Sequence, residues 1–368
     1  MVTGISVVVA SHAGRLPWLR RLLVSLDAAS RRCPEPNEVI VVDDSPEPEA
    51  SEVREACDEH GARYLRGPWR AGSKRNVGAR SARFDVLLFT DSDCAADPAL
   101  LVEHLRTLRG AGNDVAAVAG LTTMTGEVTF PWRVAAGSSF YNLSFELAHR
   151  YERVLWATTS NLSCRRTAFD RVGGFDPDTP TVAGGEDVDF GVRLCEAGYV
   201  VATNPGARVL HARDHVTRLG QIARSLFMYG RADIYLLLRH PARSDLQPFP
   251  TMGVSLVLGG AAALWLIAFG TAALRIAGIA VGLAVLVVWG CGIPGRLARL
   301  WRGPAARRLE RFQLAILAYM LDASYRFGRL SEALRQRRPH LLRRRFRYGH
   351  GPEFVRRRER PIPAPTVR

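Results

Sequence analysis

Short apolar runs alternate with amphipathic stretches along the first 240 residues. The apolar runs are rich in β-forming residues and have the length of buried strands; they cover 5–10, 38–42, 62–65, 86–90, 115–119, 199–202 and 207–210. Helical spacing of apolar residues predicts helices over 16–26, 53–60, 98–108, 138–155, 186–196 and 222–239. This alternation predicts an α/β fold with a mostly parallel sheet flanked by helices.

The apolar run Val86–Thr90 leads directly into the acidic pair Asp91 and Asp93. In open α/β sheets, ligands bind beyond the carboxyl ends of the strands. Two carboxylates two residues apart can hold one hard divalent cation, and such a cation suits a diphosphate. The alternative is a solvated turn, because Asp and Ser are common turn residues.

Two further acidic pairs lie at predicted element ends. Asp43 and Asp44 follow a strand, where a carboxylate can accept hydrogen bonds from a nucleotide or can serve as a turn residue. Glu186 and Asp187 begin a helix, where acidic residues are also common for purely structural reasons. The three pairs together indicate a nucleotide site more strongly than any one of them.

Two uncharged stretches follow this region. Residues 251–274 contain no charged side chain, and after Arg275 residues 276–295 contain none. Each is long enough to cross a bilayer, so 251–295 is predicted to form a two-span transmembrane hairpin, with a buried helical hairpin as the alternative. Flanking Arg residues predict that both ends, and with them the α/β domain, lie on the cytoplasmic side of a plasma membrane.

The net charge of +15 is concentrated at the end of the chain. Residues 296–368 contain 20 Arg and five acidic residues, so the rest of the chain is neutral. This basic helical tail, with a possible interfacial helix at 312–325, is expected to contact anionic lipid and not nucleic acid, because it lacks a nucleic-acid-binding motif. The six Cys show no paired spacing and no secretory signal precedes them, which favours reduced thiols.

Seven sequence motifs resemble those of a known family. They are VVVASHAG (7–14), EVIVVDDS (38–45), AGSKRNVGAR (71–80), LLFTDSDC (87–94), SNLSCRRTAFDRVGGFDPD (160–178), GGEDVDFGVRLCEAGY (184–199) and VLHARDH (209–215). Over about residues 4–240 the chain resembles the family 2 glycosyltransferases. The resemblance implies a GT-A fold in a domain at 1–240, a nucleotide-diphosphate sugar donor (a UDP-sugar being favoured), Mg²⁺ or Mn²⁺, and inverting transfer to a hydroxyl acceptor that is lipid-linked, a glycan or a peptide.

The resemblance also implies roles for individual residues. Asp91 and Asp93 hold the metal, Asp187 is the general base, and Glu186 orients the base or the acceptor. The donor site would include Asp43, Asp44, Arg75, Asn76 and Asp91, and the acceptor pocket would include Trp156 and Asn161.

Three more residues are candidates on chemical grounds. His211 ends a predicted strand and is a candidate third metal ligand, although a lone His is more often structural. Arg224 and Arg231 can pair with donor phosphates or can simply lie at an interface.

Two observations indicate how many sugars are transferred and which subfamily the chain is similar to. Processive relatives carry a Gln-x-x-Arg-Trp segment after the base, which this sequence lacks, so transfer of a single sugar is expected. The run 224–241 is similar to glycosyltransferases of the mycofactocin-biosynthesis type. The competing hypothesis is a catalytically silent membrane protein that binds a nucleotide sugar.

Overall fold

The computed structural model describes residues 3–138, 145, 147–180, 184–246, 252–290, 308–349 and 354–356. In the first third of the chain, strands alternate with helices. The elements are β1 (Ile5–Ser11), α1 (Leu16–Arg32), β2 (Asn37–Asp43), α2 (Glu49–Glu59), β3 (Arg63–Arg66), α3 (Ala71–Ser81), β4 (Val86–Asp91), β5 (Cys94–Ala96), α4 (Leu100–Gly110) and β6 (Val115–Thr125).

The remainder of the described chain is richer in helix. Its elements are α5 (Phe130–Ala135), α6 (Leu147–Arg150), β7 (Tyr151–Val154), β8 (Leu162–Arg165), α7 (Arg166–Arg171), α8 (Glu186–Glu196), β9 (Val200–Ala212), α9 (Leu219–Arg239), β10 (Ser244–Leu246), α10 (Met252–Phe269), α11 (Ala272–Gly290), α12 (Arg308–Arg335), β11 (Arg344–Phe346) and β12 (Val355–Arg356).

The main sheet is mixed, so the prediction of a mostly parallel sheet is wrong. Its order is β12-β7-β9-β6-β8-β4-β1-β2-β3, and β5 pairs with β9. Strands β1, β2, β3 and β4 pair in parallel, as do β6 and β9. Strand β8 enters antiparallel between β4 and β6, and β7 runs antiparallel to β9. Strand β8 has only four residues. It lacks a long apolar run, and the sequence pattern therefore did not predict it.

The central strands are buried on both faces, which explains their continuous apolar runs. Val7 and Leu88 face one core cluster, which they share with α1 and α4. Val8, Leu87 and Phe89 face a second cluster that includes residues of α7 and α8. The two clusters fix β1 and β4, and therefore the loops that follow them.

The segment 138–155 differs from its predicted helix. Helix α6 covers four residues, and Tyr151–Val154 forms a strand in which Arg153 lies opposite Ala202 and Val154 opposite Val201. Residues 139–144 and 146 lie outside the described part. Pairing with β9 outweighs the helical spacing because propensity is a weak preference that tertiary contacts override. Strand β9 also joins the two strands predicted at 199–202 and 207–210 into one.

The predicted transmembrane hairpin is wrong. Helices α10 and α11 do pack against each other, but they contain 18 and 19 residues, and Arg275 lies inside α11. At 1.5 Å per residue they measure roughly 27 and 28 Å, and many of their residues are Gly or Ala. Across the described ranges, no helix combines the length and the apolar character that a bilayer crossing requires.

The C-terminal region folds back onto the α/β domain through α12, which packs along α9. Asp233 of α9 is fully buried and forms an ion pair of 2.8 Å with Arg329 of α12. The Tyr348 hydroxyl donates a hydrogen bond of 3.1 Å to the same carboxylate. Residues 308–349 are therefore tied to α9 by a buried polar network. The predicted domain boundaries, with the first domain ending at 240 and the tail beginning at 296, stay predictions.

We expect Arg329→Met to destabilise the fold by about 3–5 kcal/mol, because it leaves the buried Asp233 carboxylate without its cation. The matched control is Arg345→Met, which removes an exposed ion pair of 3.6 Å to Asp245 and should cost at most about 1 kcal/mol. Urea denaturation measures both, and equal losses in the two variants would contradict the assignment.

Candidate functional site

The carboxyl ends of β1, β2 and β4 meet at one edge of the sheet. In register, Ser11 lies opposite Asp43, and Ala10 lies opposite Asp91. The acidic residues that follow β2 and β4 are therefore brought to the same edge, where ligands bind in open α/β sheets.

The Asp43-Asp44 pair divides into two roles. Asp43 is fully buried and accepts hydrogen bonds of 2.9 Å from both the amide and the hydroxyl of Ser45. Asp44 is partly exposed and pairs with the Lys74 Nζ at 2.5 Å, which also donates to the Ser11 carbonyl. The sequence interpretation missed Lys74, although it lies within the basic motif at 71–80.

A buried guanidinium connects the two other acidic pairs. Arg75 donates to Asp91 Oδ1 at 2.8 Å and to Glu186 Oε1 at 2.9 Å. Burial alone would lower the pKa of Arg75, but Asp91 and Glu186 raise it above the ordinary value. Arg75 is 3% exposed, so this bridge is a fixed part of the site, and it holds the end of β4 against the start of α8.

Asp187 is the second residue of α8, and the helix begins directly after Gly185, whose φ of 92° favours glycine. Glu186 is committed elsewhere, because it accepts from Arg75 and from the Gly184 amide at 2.5 Å. Asp187 accepts a hydrogen bond of 2.9 Å from the Val188 amide. Burial and the adjacent Glu186 carboxylate raise the pKa of Asp187 to about 7. A carboxylate that titrates near neutral pH suits a general base.

His211 lies close to Asp91 and Asp93, and the potential ligand atoms of Asp93, Cys94 and His211 lie within 4.8 Å of one another. The His211 Nε2 lies 3.4 Å from Asp93 Oδ1 and 3.9 Å from Asp91 Oδ2. Its Nδ1 lies 3.1 Å from the Ala212 carbonyl, which can only accept. With its proton on Nδ1, His211 can offer the Nε2 lone pair to a cation bound at these carboxylates. The donor set of two carboxylates and one imidazole fits Mg²⁺ or Mn²⁺.

Two residues that the sequence interpretation did not select also contact Asp93. Arg15 Nη1 lies 3.0 Å and His215 Nε2 lies 3.7 Å from Asp93 Oδ2. Burial raises the pKa of Asp93, but His211, Arg15 and His215 together lower it below its ordinary value. His215 ends the motif at 209–215 and Arg15 follows the motif at 7–14, so both lie where a signal was present.

A cavity of about 280 Å³ opens beside these groups, and Arg75, Asp91, Asp187 and His211 are on its wall. Six aromatic residues also lie on its wall: Trp132, Phe145, Trp156, Tyr229, Tyr325 and Tyr348. The Trp156 indole donates 2.9 Å to the Tyr348 carbonyl. The C-terminal region thus completes a cavity whose chemical groups come from the α/β domain.

The two predicted asparagines make internal hydrogen bonds. Asn161 is 1% exposed; its amide donates to the Leu121 and Ala207 carbonyls, and its oxygen lies 2.8 Å from His104 Nε2. Asn76 exchanges two hydrogen bonds, of 2.7 and 2.9 Å, with the backbone of Phe175. Neither lines the cavity, and their predicted contacts with acceptor and donor stay predictions.

The two predicted arginines of α9 are also away from the cavity wall. Arg231 pairs with Glu332 of α12 at 2.9 Å, and Arg224 is exposed on α9. The structure gives Arg231 a partner within the protein, and a contact with donor phosphate stays a prediction for both residues.

Comparison with known proteins agrees with this geometry. Over 89% of this chain and 87% of the other, the fold is similar to that of the mannosyltransferase PcManGT from Pyrobaculum calidifontis, with a TM-score of 0.51 at 17% identity. That protein was solved in complex with GDP-Man and Mn²⁺. The expected GT-A-type α/β architecture is therefore present, with a mixed sheet.

Residues 6–173 match the sequence profile of Glycosyl transferase family 2, so this part of the chain belongs to that family. It is 32% identical over 280 residues to the pre-mycofactocin glycosyltransferase of Mycobacterium tuberculosis, covering 72% of this chain and 53% of that protein. It is 28% identical to the validoxylamine A glucosyltransferase of Streptomyces hygroscopicus subsp. limoneus, covering 59% and 54%. The chain thus spans about half the length of these curated relatives. The similarity to mycofactocin-type enzymes is confirmed.

We expect Asp187→Asn to stabilise the protein at pH 8 but not at pH 4. The Asp187 pKa rises from 3.8 to about 7 on folding, so between these values the unfolded carboxyl is ionised while the folded one holds its proton. Stability therefore falls as the pH rises across this interval and then levels off. Thermal unfolding at several pH values measures the difference in stability between the variant and the wild type. For an exposed control, Asp58→Asn on α2, this difference should not grow with pH. A difference that stays constant with pH for Asp187→Asn would refute the assignment.

Proposed function

We propose that this protein transfers one hexose from a nucleotide-diphosphate sugar, with a UDP-sugar as the favoured donor, to the hydroxyl of an acceptor, inverting the anomeric carbon. The observation that carries the proposal is the position of Asp187, whose pKa is about 7, in the same cavity as Asp91 and His211. Two relatives, the pre-mycofactocin glycosyltransferase and the validoxylamine A glucosyltransferase, transfer sugars, and PcManGT was solved with GDP-Man and Mn²⁺.

Asp91, Asp93 and His211 would hold Mg²⁺ or Mn²⁺ in this reaction. The cation would neutralise charge on the departing diphosphate. Arg75 fixes the orientation of Asp91 through its hydrogen bond of 2.8 Å. Asp44 and Lys74, at the end of β2 and in α3, would contact the nucleotide at the same sheet edge.

Asp187 would accept the proton of the attacking hydroxyl. It must be ionised to do so, and a pKa of about 7 makes a large fraction ionised at neutral pH while keeping the carboxylate basic. Arg75 and the Gly184 amide hold the Glu186 side chain in place beside Asp187. Glu186 therefore acts as a positioning residue. The aromatic wall around Trp156 would receive the acceptor, which is lipid-linked, a glycan or a peptide.

Asp187→Asn should lower kcat by roughly a hundred- to ten-thousand-fold, because an amide cannot take the proton. Donor binding should change little, because the residues proposed to bind donor and metal are intact. For the wild type, kcat/KM should rise with pH through about 7, the pKa of Asp187. Sugar transfer and Mn²⁺-dependent donor hydrolysis, measured over a panel of nucleotide sugars, provide the readout.

The matched control is Glu186→Gln, which should be milder because Glu186 does not take the proton. A loss of less than about tenfold in Asp187→Asn would exclude Asp187 as the base, since base loss costs far more. Binding of a nucleotide sugar without transfer by the wild type would favour the catalytically silent alternative.

We also propose that the basic region 296–368 places the protein at the inner face of a bacterial plasma membrane by contact with anionic lipid. Its 20 Arg against five acidic residues support this. The protein should co-sediment with phosphatidylglycerol vesicles at low salt, and the bound fraction should fall as salt screens the charges. Equal binding to neutral phosphatidylcholine vesicles, or no binding to either, would overturn the proposal.

A further inference from the structure

Arg15 contacts the Asp93 carboxylate at the oxygen that faces away from His211. Arg15 Nη1 lies 3.0 Å from Asp93 Oδ2, whereas His211 approaches Oδ1 at 3.4 Å. The Asp93 side chain is 8% exposed and that of Arg15 is 19% exposed. The pair is therefore an ion pair with little access to solvent, and not a surface contact.

Within the described residues, the Arg15 guanidinium is only partly satisfied by hydrogen bonds. Its Nε donates to His12 Nε2 at 3.2 Å, and its carbon lies 5.8 Å from the centre of the Trp18 ring. Nη1 is buried, yet within the described residues no acceptor, Asp93 included, is aligned with it as a hydrogen bond. A buried donor without an aligned acceptor is costly. Arg15 thus presents an unsatisfied cationic N–H group to the metal and diphosphate site.

The position of Arg15 in the chain allows its side chain to change partners. It lies between the end of β1 at Ser11 and the start of α1 at Leu16. The preceding Gly14 has a φ of 79° and nothing within 4 Å of where a Cβ would be. This loop leaves the sheet at the carboxyl edge, beside Lys74, where a diphosphate is expected.

A divalent cation on Asp93 and a guanidinium on the same carboxylate repel each other. Guanidinium groups bind diphosphate oxygens with paired, charge-assisted hydrogen bonds. The most favourable arrangement with cation and diphosphate both bound therefore moves the Arg15 charge from Asp93 to the diphosphate.

We propose that Arg15 is a competing cation for Asp93 and a donor-diphosphate ligand, so that metal and nucleotide bind cooperatively. This rests on the proposed function, because it assumes a cation at Asp91, Asp93 and His211. Arg15 opposes the metal when no diphosphate is present, and it stabilises the ternary complex when one is. The site thereby favours the metal–nucleotide complex over the free metal.

The test is a Mn²⁺ titration of the full chain, followed by the electron paramagnetic resonance signal of free Mn²⁺, with and without UDP or GDP. In Arg15→Ala, Mn²⁺ alone should bind roughly five- to tenfold more tightly than in the wild type, about 1–1.4 kcal/mol. The enhancement of Mn²⁺ affinity by the nucleoside diphosphate should shrink by a similar factor. Arg15→Lys should retain part of both effects, because it keeps the charge but not the paired donors.

The matched control is Arg20→Ala on α1, the helix that follows Arg15, where a half-exposed Arg pairs with Glu59 at 2.6 Å; both affinities should be unchanged. Asp93→Asn should abolish the Mn²⁺ binding that the titration reports. Unchanged or weaker Mn²⁺ affinity in Arg15→Ala overturns the competition, and undiminished nucleotide enhancement overturns the diphosphate contact. These results are independent of sugar transfer, so a failure of Asp187 as base leaves a positive Arg15 result in place.

Discussion

The bridge from Arg75 to Asp91 and Glu186 is the interaction on which the site depends. One buried guanidinium joins the end of β4 to the start of α8 with hydrogen bonds of 2.8 and 2.9 Å. Without it, two buried or half-buried carboxylates would face each other without compensation. The bridge also gives two adjacent acidic residues different surroundings: Glu186 pairs with Arg75, whereas burial and the Glu186 carboxylate raise the pKa of Asp187 to about 7.

Charge is distributed in the site so that every acidic residue except Asp187 has a cationic partner. Asp44 pairs with Lys74, Asp91 with Arg75, and Asp93 with Arg15. Such pairing lowers the cost of holding several carboxylates together at one sheet edge.

The C-terminal region contributes more to the site than its composition suggested. The sequence indicated a basic tail that contacts lipid, yet Tyr325 and Tyr348 line the cavity. They are held there by Asp233 and Arg329, which lie on different helices far apart in sequence. The match to the family profile ends at residue 173, and these two cavity residues lie beyond it.

The sequence by itself determined the α/β class, the strands β1, β2 and β4, and the acidic pairs at their ends, because buried strands and strand-end carboxylates leave local patterns. It did not determine the mixed sheet, since the four residues of β8 pair antiparallel only through contacts with β4 and β6. The prediction of a transmembrane hairpin at 251–295 was wrong, because the apolar pattern did not show where the helices begin and end or that Arg275 lies inside α11. Only the tertiary structure brought Arg15 and His215 to Asp93, because ion pairs between distant residues have no local signature.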